Sequence, residues 1–390
     1  MNTRIAIVGG GVAGYTAIET LRRSPIQSDI KLIWISPKPS FVYKPFLFDI
    51  YSGYRKLTDY TFPFKSYYQR FRIDFSPGKV KEFLPADTTL VLDSGQRINY
   101  EYVILASGEE RVMPDILTSE NSFLSNTSDE LQKIADHLDA QFQLAKKQLS
   151  LLRKPFLSIV VHGNDLYSVQ VLFAIYNLTD YIRKKYDLRR NEISISYVSS
   201  EKDFGGDLPI KLRDILEEYA KDHAIDVYLH TTIQKWDDGK LVLSNGTVLE
   251  TKTFITNGEA RLAAVYQNAG LKTDQFGGLE INNFLQLEKF YNVYAAGSLI
   301  NHYDWHKKER VWHTFSNAED QARLAALNVI AEIRGKNKLT YKPKNNVEFI
   351  PVNDQLCIGM YGDNVYFNSI MNYTRVLLAK KYFWQLTMPE

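Results

Sequence analysis

The sequence has a single cysteine, Cys357, among its 390 residues. One cysteine excludes an internal disulfide and a catalytic cysteine pair within the chain. No apolar run reaches the ~18 residues that a membrane-spanning helix requires. An apolar run that predicts a strand begins at residue 5 and leaves no room before it for a secretory signal peptide. We therefore expect a cytoplasmic protein.

The chain also lacks an excess of charge of either sign. Its 47 Lys and Arg residues nearly balance its 45 Asp and Glu residues, so that the formal net charge is +2. Without a dominant basic region, nucleic acid is not an expected partner. With 45% hydrophobic residues, the chain can bury enough apolar surface for two domains and a small additional piece.

Glycine forms a pattern near the N-terminus. An apolar run, residues 5–8, predicts a buried parallel strand, and residues 12–22 predict a helix. Gly9, Gly11 and Gly14 fit G-x-G-x-x-G. The first glycine would make a tight turn, the second would let the backbone approach a pyrophosphate, and the third would let helix and strand pack closely. The order of strand, loop and helix predicts a dinucleotide site, with a structural glycine turn as the alternative.

A second strand, loop and helix of this kind lacks the glycines. Residues 158–161 predict a buried strand and residues 169–176 a helix. Gly163 can serve as the first glycine, but Asp165 and Ser168 stand at the second and third positions. A charged side chain would lie where a pyrophosphate requires bare amides. We expect that NAD(P)H binds poorly there and is not the ordinary reductant, although its use stays open.

Three other predicted strands end in polar or small residues. The strand at residues 30–35 precedes Ser36, where a dinucleotide site usually has an acid that binds ribose hydroxyls. Residues 102–108 and residues 292–298 each predict a buried strand that ends in a small-residue turn, where backbone could lie close to a ligand. These turns contain Ala106, Ser107, Gly108, Gly297 and Ser298.

The remaining patterns concern the outer parts of the fold. Short alternating runs in residues 75–95 and 227–256 predict two antiparallel meanders and make an internal duplication plausible. Residues 314–330 predict an amphipathic helix, capped by Ser316 or Asn317, whose N-terminal end can stabilise an anion. An ordinary core helix is the alternative.

In this order, the segments IAIVGGGVAG, YVILASG, NVYAAGS and TFSNAEDQARLAALN resemble the FAD-dependent pyridine nucleotide oxidoreductase superfamily. Its members have two dinucleotide-binding domains and include ferredoxin reductases, apoptosis-inducing factor, type II NADH dehydrogenases and sulfide:quinone oxidoreductases. The resemblance, over residues 1–335, implies an α/β fold of two Rossmann-like domains, each with three β/β/α layers, and a small C-terminal α+β piece. The expected parts are an FAD-binding domain (1–115 and 280–335), a second, NAD(P)-binding-like domain (150–279) and an interface piece (336–390).

The resemblance also implies an FAD site. Residues 44–47 echo a stretch beside the flavin ring, residues 314–322 echo a stretch under it, and Val80 lies where the meander touches adenine. The expected cofactor-binding residues are Gly9, Gly11, Val12, Ala13, Gly14, Ser36, Lys38, Lys44, Pro45, Val80, Ala106, Ser107, Gly108, Gly297, Ser298, Phe315, Ser316 and Ala318. Polar candidates near the ring, without an assigned acid or base role, are Lys44, Asp49, His302, His306 and His313. No metal site is expected.

The chain departs from the superfamily at two acids. Ser36 replaces the ribose-binding acid, and Ser298 replaces the aspartate of an A-x-G-D motif. A neutral hydroxyl makes a weaker hydrogen bond than a carboxylate, so we expect looser FAD binding, with Lys38 compensating in part at the first position. The superfamily's redox cysteines are absent, which excludes sulfide oxidation and disulfide reduction by the usual route.

The sequence therefore predicts an FAD-dependent oxidoreductase that transfers a hydride or electrons through the flavin to or from a small molecule or redox partner. The alternative is a degenerate flavoprotein scaffold that binds FAD or a nucleotide for structure or partner binding, without turnover. The aromatic and basic C-terminal end predicts a homodimer contact or a lid over the flavin, with peripheral membrane contact less favoured.

Overall fold

A computed structural model of the chain describes residues 2–54, 56–237, 239–304, 308–344, 347–362 and 364–387. Its strands are β1 (Thr3–Val8), β2 (Ile30–Ser36), β3 (Ser40–Val42), β4 (Thr61–Pro63), β5 (Asp74–Pro77), β6 (Val80–Leu84), β7 (Thr89–Leu92), β8 (Arg97–Asn99), β9 (Tyr102–Leu105), β10 (Glu110–Val112), β11 (Ser122–Leu124), β12 (Ser158–His162), β13 (Ser194–Val198), β14 (Asp226–Tyr228), β15 (Ile233–Asp237), β16 (Lys240–Leu243), β17 (Val248–Glu250), β18 (Thr253–Thr256), β19 (Glu259–Arg261), β20 (Val293–Ala295), β21 (Tyr303–Asp304), β22 (Glu309–Arg310), β23 (Val347–Pro351), β24 (Cys357–Tyr361) and β25 (Asn364–Asn368).

Its α-helices are α1 (Val12–Arg22), α2 (Leu47–Tyr51), α3 (Lys65–Arg70), α4 (Ser128–Lys147), α5 (Lys154–Leu157), α6 (Leu166–Lys185), α7 (Ile210–Asp222), α8 (Ala264–Asn268), α9 (Phe315–Ile333) and α10 (Ser369–Thr387). Within the described residues, no helix combines the length and the apolar character that crossing a membrane requires.

The chain forms two units, and each is assembled from three segments. Unit 1 comprises Met1–Lys44, Tyr60–Glu110 and Ala260–Asn346. Unit 2 comprises Pro45–Asp59, Arg111–Glu259 and Val347–Glu390.

Unit 1 is built on a parallel sheet in the order β20-β9-β1-β2-β5. The central strand, β1, contains Ile5, Ala6 and Ile7, which are completely buried, as expected of a parallel strand covered on both faces. An antiparallel meander, β6-β7-β8, belongs to the same unit and confirms the first predicted meander. Because the sheet is parallel, the turns that follow β1, β9 and β20 lie at one edge.

Unit 2 repeats this architecture. Its parallel sheet has the order β11-β18-β12-β13-β14, and β15-β16-β17 form a second antiparallel meander. The two sheets and meanders confirm the predicted α/β fold with two Rossmann-like domains. The sheet β23-β24-β25 and helix α10 complete the unit.

The C-terminal piece has other boundaries than the sequence predicts. Residues 336–346 belong to unit 1, and only residues 347–390 belong to unit 2. Helix α10 is tied to helix α2 by a buried ion pair, in which Arg375 donates to both carboxylate oxygens of Asp49 at 2.6 and 2.8 Å. That pair explains why residues 45–59, predicted within the FAD-binding domain, lie in unit 2.

Residues 260–279 lie in unit 1 and not in the predicted second domain. Helix α8 packs against the first meander, with the rings of Tyr266 and Phe83 centred 6.1 Å apart. The Tyr266 hydroxyl also lies 2.9 Å from Ser107 Oγ in the turn after β9. These contacts attach the segment to the first sheet.

Candidate dinucleotide-binding site

The glycine loop after β1 has the close packing that its spacing predicts at the first and third glycines. A Cβ atom at Gly9, whose φ is +133°, would lie 2.1 Å from the Ala106 carbonyl oxygen. A Cβ at Gly14 would lie 2.0 Å from the Gly9 carbonyl oxygen. Gly11 is exposed, and a Cβ there would meet nothing within 4 Å. The loop therefore requires glycine at the turn and at the helix contact, and it leaves open space at its middle glycine.

Helix α1 begins at this open space without a side-chain cap. Its N-cap residue is Gly11, in an extended conformation, and the first intrahelical hydrogen bond runs from the Tyr15 N–H to the Gly11 carbonyl at 3.0 Å. The backbone N–H groups of the first turn, at Val12, Ala13 and Gly14, have no intrahelical acceptor. An uncapped helix N-terminus beside open space fits the pyrophosphate of a dinucleotide.

Strand β2 binds both backbone polar groups of Gly9. The Gly9 N–H donates to the Ile35 carbonyl at 2.8 Å, and the Gly9 carbonyl accepts from Trp34 Nε1 at 2.8 Å. Trp34 is completely buried, with its ring centre 3.9 Å from that of Phe64. We did not predict this contact from the sequence, because the indole between Ile33 and Ile35 marks an unusual position but does not specify its partner.

Ser36 lies at the end of β2, close to the loop. It is buried, and its hydroxyl donates to the Lys38 carbonyl at 2.9 Å. A Cβ at Gly10 would lie 2.3 Å from Ser36 Oγ. The serine is thus packed against the loop backbone, whereas Lys38 is exposed.

Two more turns lie at the same edge of the sheet. Ser298 Oγ, in the turn after β20, accepts from the backbone N–H of Glu109 at 3.2 Å. A Cβ at Gly297 would lie 3.4 Å from the Ala13 Cβ and 3.8 Å from the Ala318 Cβ. The structure therefore brings together the glycine loop, this turn and the start of α9, which are widely separated in the sequence.

Helix α9 is anchored at this edge by its own polar residues. Gln321 Oε1 accepts from the Gly297 N–H at 2.9 Å. Thr314 is the N-cap, and its Oγ1 accepts from the Asn317 N–H at 3.2 Å. The predicted caps, Ser316 and Asn317, were wrong, because both lie inside the first turn and Thr314 is the extended residue before it.

One buried acceptor in the first turn of α9 has no protein partner. Asn317 Nδ2 donates to the Trp312 carbonyl at 3.0 Å, but Asn317 Oδ1 has no hydrogen-bond partner among the described residues. Phe315 beside it packs on Tyr43, with ring centres 4.8 Å apart. An acceptor without a protein partner at this position fits a ligand that donates a hydrogen bond, so Asn317 is a candidate site residue that the predicted set lacks.

The remaining expected contacts are placed as follows. Val80 begins β6 and is half-buried, and a bulge follows it in the pairing with β7. Lys44 is exposed and is the last residue of its segment in unit 1, whereas Pro45 begins a segment of unit 2. Their predicted positions beside the flavin ring stay predictions.

The predicted ring-side polar groups have different surroundings. Asp49 is buried in unit 2, where Arg375 binds both of its oxygens, so that its carboxylate has a structural partner. His313 is exposed, and its Nε2 lies 3.0 Å from the Ile300 carbonyl oxygen. His302 is half-buried, and burial lowers its pKa below the ordinary value. His306 lies outside the described residues.

The loop after β12 in unit 2 is closed by side chains where the first loop is open. Asp165 is the N-cap of α6, and its carboxylate accepts from the Ser168 N–H at 2.9 Å. A Cβ at Gly163 would lie 2.3 Å from the Ser168 Cβ. At the position that matches Gly11, this loop therefore has a capping carboxylate in place of bare backbone. Among the residues that the structure describes, no cluster of His, Cys, Asp and Glu is suited to a metal ion.

Known proteins are similar to this chain over most of its length. The sequence profile of the family described as pyridine nucleotide-disulphide oxidoreductase matches residues 3–322. The sulfide-quinone reductase of Aquifex aeolicus (strain VF5) is 22% identical over 383 residues, which cover 94% of this chain and 83% of the relative. Ferroptosis suppressor protein 1 of Xenopus tropicalis is 24% identical over 358 residues, which cover 88% of this chain and 84% of the relative.

Solved structures share the fold. The crystal structure of the sulfide:quinone oxidoreductase from Aquifex aeolicus superposes with a TM-score of 0.81 at 20% identity, covering 98% of this chain and 91% of that chain. NDH2 from Plasmodium falciparum, solved in complex with NADH, gives a TM-score of 0.83 at 14% identity, with coverages of 97% and 94%.

Proposed function

Because the chain belongs to the pyridine nucleotide-disulphide oxidoreductase family and is an FAD-dependent oxidoreductase, we propose that it exchanges electrons with its substrate at the flavin itself, without a protein disulfide. The substrate is a small molecule or a redox partner. Bound FAD supplies the ring that takes up a hydride or electrons and gives them out again. The protein's own groups bind the cofactor, orient the substrate and stabilise charge.

The state of the single cysteine carries this proposal. Cys357 is completely buried on β24, and burial raises the pKa of its thiol to about 12. A buried, protonated thiol is a poor nucleophile, and the sequence contains no second cysteine to form a disulfide with it. Sulfide or disulfide chemistry through protein thiols is therefore not available to this chain.

The described residues of unit 1 supply the cofactor contacts. The open space at Gly11 and the first-turn amides of α1 would hold the pyrophosphate. At the start of α9, the positive end of the helix favours negative charge, and Asn317 Oδ1 would accept a hydrogen bond from the cofactor. These groups would favour the negative charge of a bound, reduced cofactor.

We further propose a quinone-class small molecule as the electron acceptor. One relative is named a sulfide-quinone reductase. Its sulfide half-reaction would need thiols that this chain does not have, whereas a quinone can take electrons directly from a flavin. Acceptance by a quinone is therefore the part of that activity compatible with a buried single cysteine.

The test is anaerobic reduction of the purified yellow protein with dithionite, followed by mixing with a water-soluble quinone or with an oxidised iron–sulfur protein. We expect the flavin absorbance to return fastest with the quinone. Cys357→Ala should reoxidise at the wild-type rate. Colourless protein, or bound flavin that neither acceptor reoxidises, would favour the scaffold alternative. Loss of turnover in a folded Cys357→Ala variant would contradict the proposal directly.

A further inference from the structure

We propose that Asp165 is a specificity-determining residue, which closes the second nucleotide loop with a built-in anion and thereby keeps pyridine nucleotides out of unit 2. The inference deepens the proposed function, on which it rests only for the use of the flavin. It predicts that the electron donor is not an NAD(P)H molecule seated on this loop.

Two residues occupy matching positions in the two loops. Gly11 and Asp165 each stand at the second glycine position of their loops, and each is the N-cap of the following helix. The first has no side chain and faces open space. The second places a carboxylate on its own helix, where one oxygen accepts from the Ser168 N–H at 2.9 Å. The hydroxyl of Ser168 completes the cap, since it lies 3.3 Å from the Asp165 N–H and 2.6 Å from the Asp165 carbonyl oxygen.

A neighbouring strand fixes the carboxylate in place. Asn257 follows β18, which pairs with β12, and it is buried. Its Nδ2 lies 2.8 and 2.9 Å from the two carboxylate oxygens of Asp165. Arg111 Nη2 lies 3.9 Å from one of them. The carboxylate is therefore held by the backbone of its helix and by the next strand.

Asn164, which precedes the N-cap Asp165, attaches the loop to the segment after β13. Asn164 Oδ1 accepts from Ser199 Oγ and from the Ser200 N–H, each at 3.0 Å, at the end of β13. A Cβ at Gly206, whose φ is +78°, would lie 2.4 Å from the Asn164 carbonyl oxygen. The segment after β13 thus packs directly on the loop, at the edge where a Rossmann domain binds its nucleotide.

This arrangement disfavours a pyrophosphate in two ways. The amide that a phosphate oxygen would accept from already donates to Asp165, so that binding has to break a charge-assisted hydrogen bond. The phosphate charge would also lie beside a carboxylate, and like charges at short range repel. A neutral or cationic ligand faces no such charge repulsion, so the exclusion is specific to anions.

The experiment is a reciprocal exchange between the two loops. Asp165→Ser keeps an N-capping hydroxyl but removes the carboxylate, and Asp165→Gly reproduces the first loop. Calorimetric titration with NADH should show binding to both variants about tenfold tighter than to wild type. Gly11→Asp should place the same anion in the first loop and yield colourless protein.

Asp222→Ser is the matched control, since it removes the same charge from an exposed position at the end of α7. We expect no change in NADH binding there. Submillimolar NADH binding by wild type, or unchanged binding by two folded Asp165 variants, would overturn the inference. The flavin content and quinone reoxidation of wild type are measured separately, so that failure of the proposed function is distinguishable from failure of the Asp165 assignment.

Discussion

At the scale of single residues, the cofactor loop depends on a contact that lies outside its glycines. Trp34 donates to the Gly9 carbonyl at 2.8 Å, and the indole itself is completely buried. The hydrogen bond fixes the peptide from which the loop begins. Its geometry is set by β2, and hence by residues more than twenty positions further along the chain.

Trp34→Phe should weaken FAD binding by about tenfold, because a buried carbonyl that loses its donor costs about 1–3 kcal/mol. The measurement is an FAD titration of apo-protein followed by flavin fluorescence. Phe64→Leu is the control, since it removes the ring that packs on the indole and keeps the hydrogen bond. We expect it to lower thermal stability without a comparable change in Kd. Equal losses of affinity in both variants would mean that packing alone matters.

The two serines that replace acids should respond differently to restoration of the acid. Ser298 Oγ accepts from the Glu109 N–H, and Ser298→Asp would keep an acceptor there while its second carboxylate oxygen offers a charge-assisted hydrogen bond to a hydroxyl of the cofactor. Ser36 is buried against Gly10, and Ser36→Glu would have to displace backbone. Since charge-assisted hydrogen bonds contribute about 1.5–3 kcal/mol against about 0.5–1.5 for neutral ones, Ser298→Asp should tighten FAD binding by about tenfold and more than Ser36→Glu.

Titration of apo-protein with FAD compares wild type with both serine variants. A wild type that already binds FAD at low nanomolar concentration, and gains from neither change, would show that other contacts replace the acids.

At the scale of residues, the sequence identified positions that only one type of residue can occupy. Gly9 and Gly14 could be identified because no other residue fits between strand and helix. The cap of α9 was misassigned, since Thr314, Ser316 and Asn317 are all good capping residues and only backbone geometry separates them. The Trp34 contact was out of reach because hydrogen-bond partners across a sheet do not follow from spacing.

At the scale of elements, apolar runs in the sequence predicted where strands lie. The limits of the helices were predicted less well. The strands at β1 and β12 lie where their apolar runs predict them. Helix α6 was expected over residues 169–176, but it extends over Leu166–Lys185. Its start is set by the Asp165 cap, and its last turn is basic, which favours a helix C-terminus without adding to the apolar pattern.

His162, the last residue of β12, should make the free energy of unfolding of unit 2 depend on pH. Burial lowers the pKa of His162 to about 4, against contributions from Asp165 and Glu259 that raise it. A depressed histidine pKa means that the folded state prefers the neutral ring. The stabilisation that the neutral His162 ring provides is therefore fully present above the unfolded pKa of about 6.5. It is lost as the pH falls towards 4, which lowers the free energy of unfolding by about 2–3 kcal/mol.

Urea unfolding at pH 7.5 and pH 4.5 checks this expectation. His162→Gln should reduce the loss of unfolding free energy between the two pH values. His230→Asn is the control, because His230 is exposed and asparagine tolerates its positive φ of 50°. Identical pH dependence in wild type and His162→Gln would contradict the role given to burial of the ring.

At the scale of the whole molecule, the chain contributes to each unit through segments that are far apart in the sequence. Residues 45–59 leave unit 1 to join unit 2, where they contact the C-terminal helix α10. Composition and periodicity do not reveal such exchanges, because each segment has the same local pattern in either unit. The predicted domain limits therefore followed chain order, whereas the structure follows long-range contacts. The interface role predicted for α10, which exposes Ile370, Tyr373 and Trp384, stays a prediction.

The buried ion pair between Asp49 and Arg375 is the strongest test of this long-range assembly. The residues are 326 positions apart, both side chains are less than a tenth exposed, and Arg375 also lies over the Phe46 ring at 4.6 Å. Removing one partner leaves an uncompensated buried charge, so Arg375→Met should lower the free energy of unfolding by about 3–5 kcal/mol. Asp49→Leu should cost about as much. The double variant should recover most of the loss, since an apolar pair of similar volume replaces a buried ion pair at little cost. Urea unfolding of all four proteins at pH 7 measures the coupling, and additive losses in the double variant would show that the two side chains act independently.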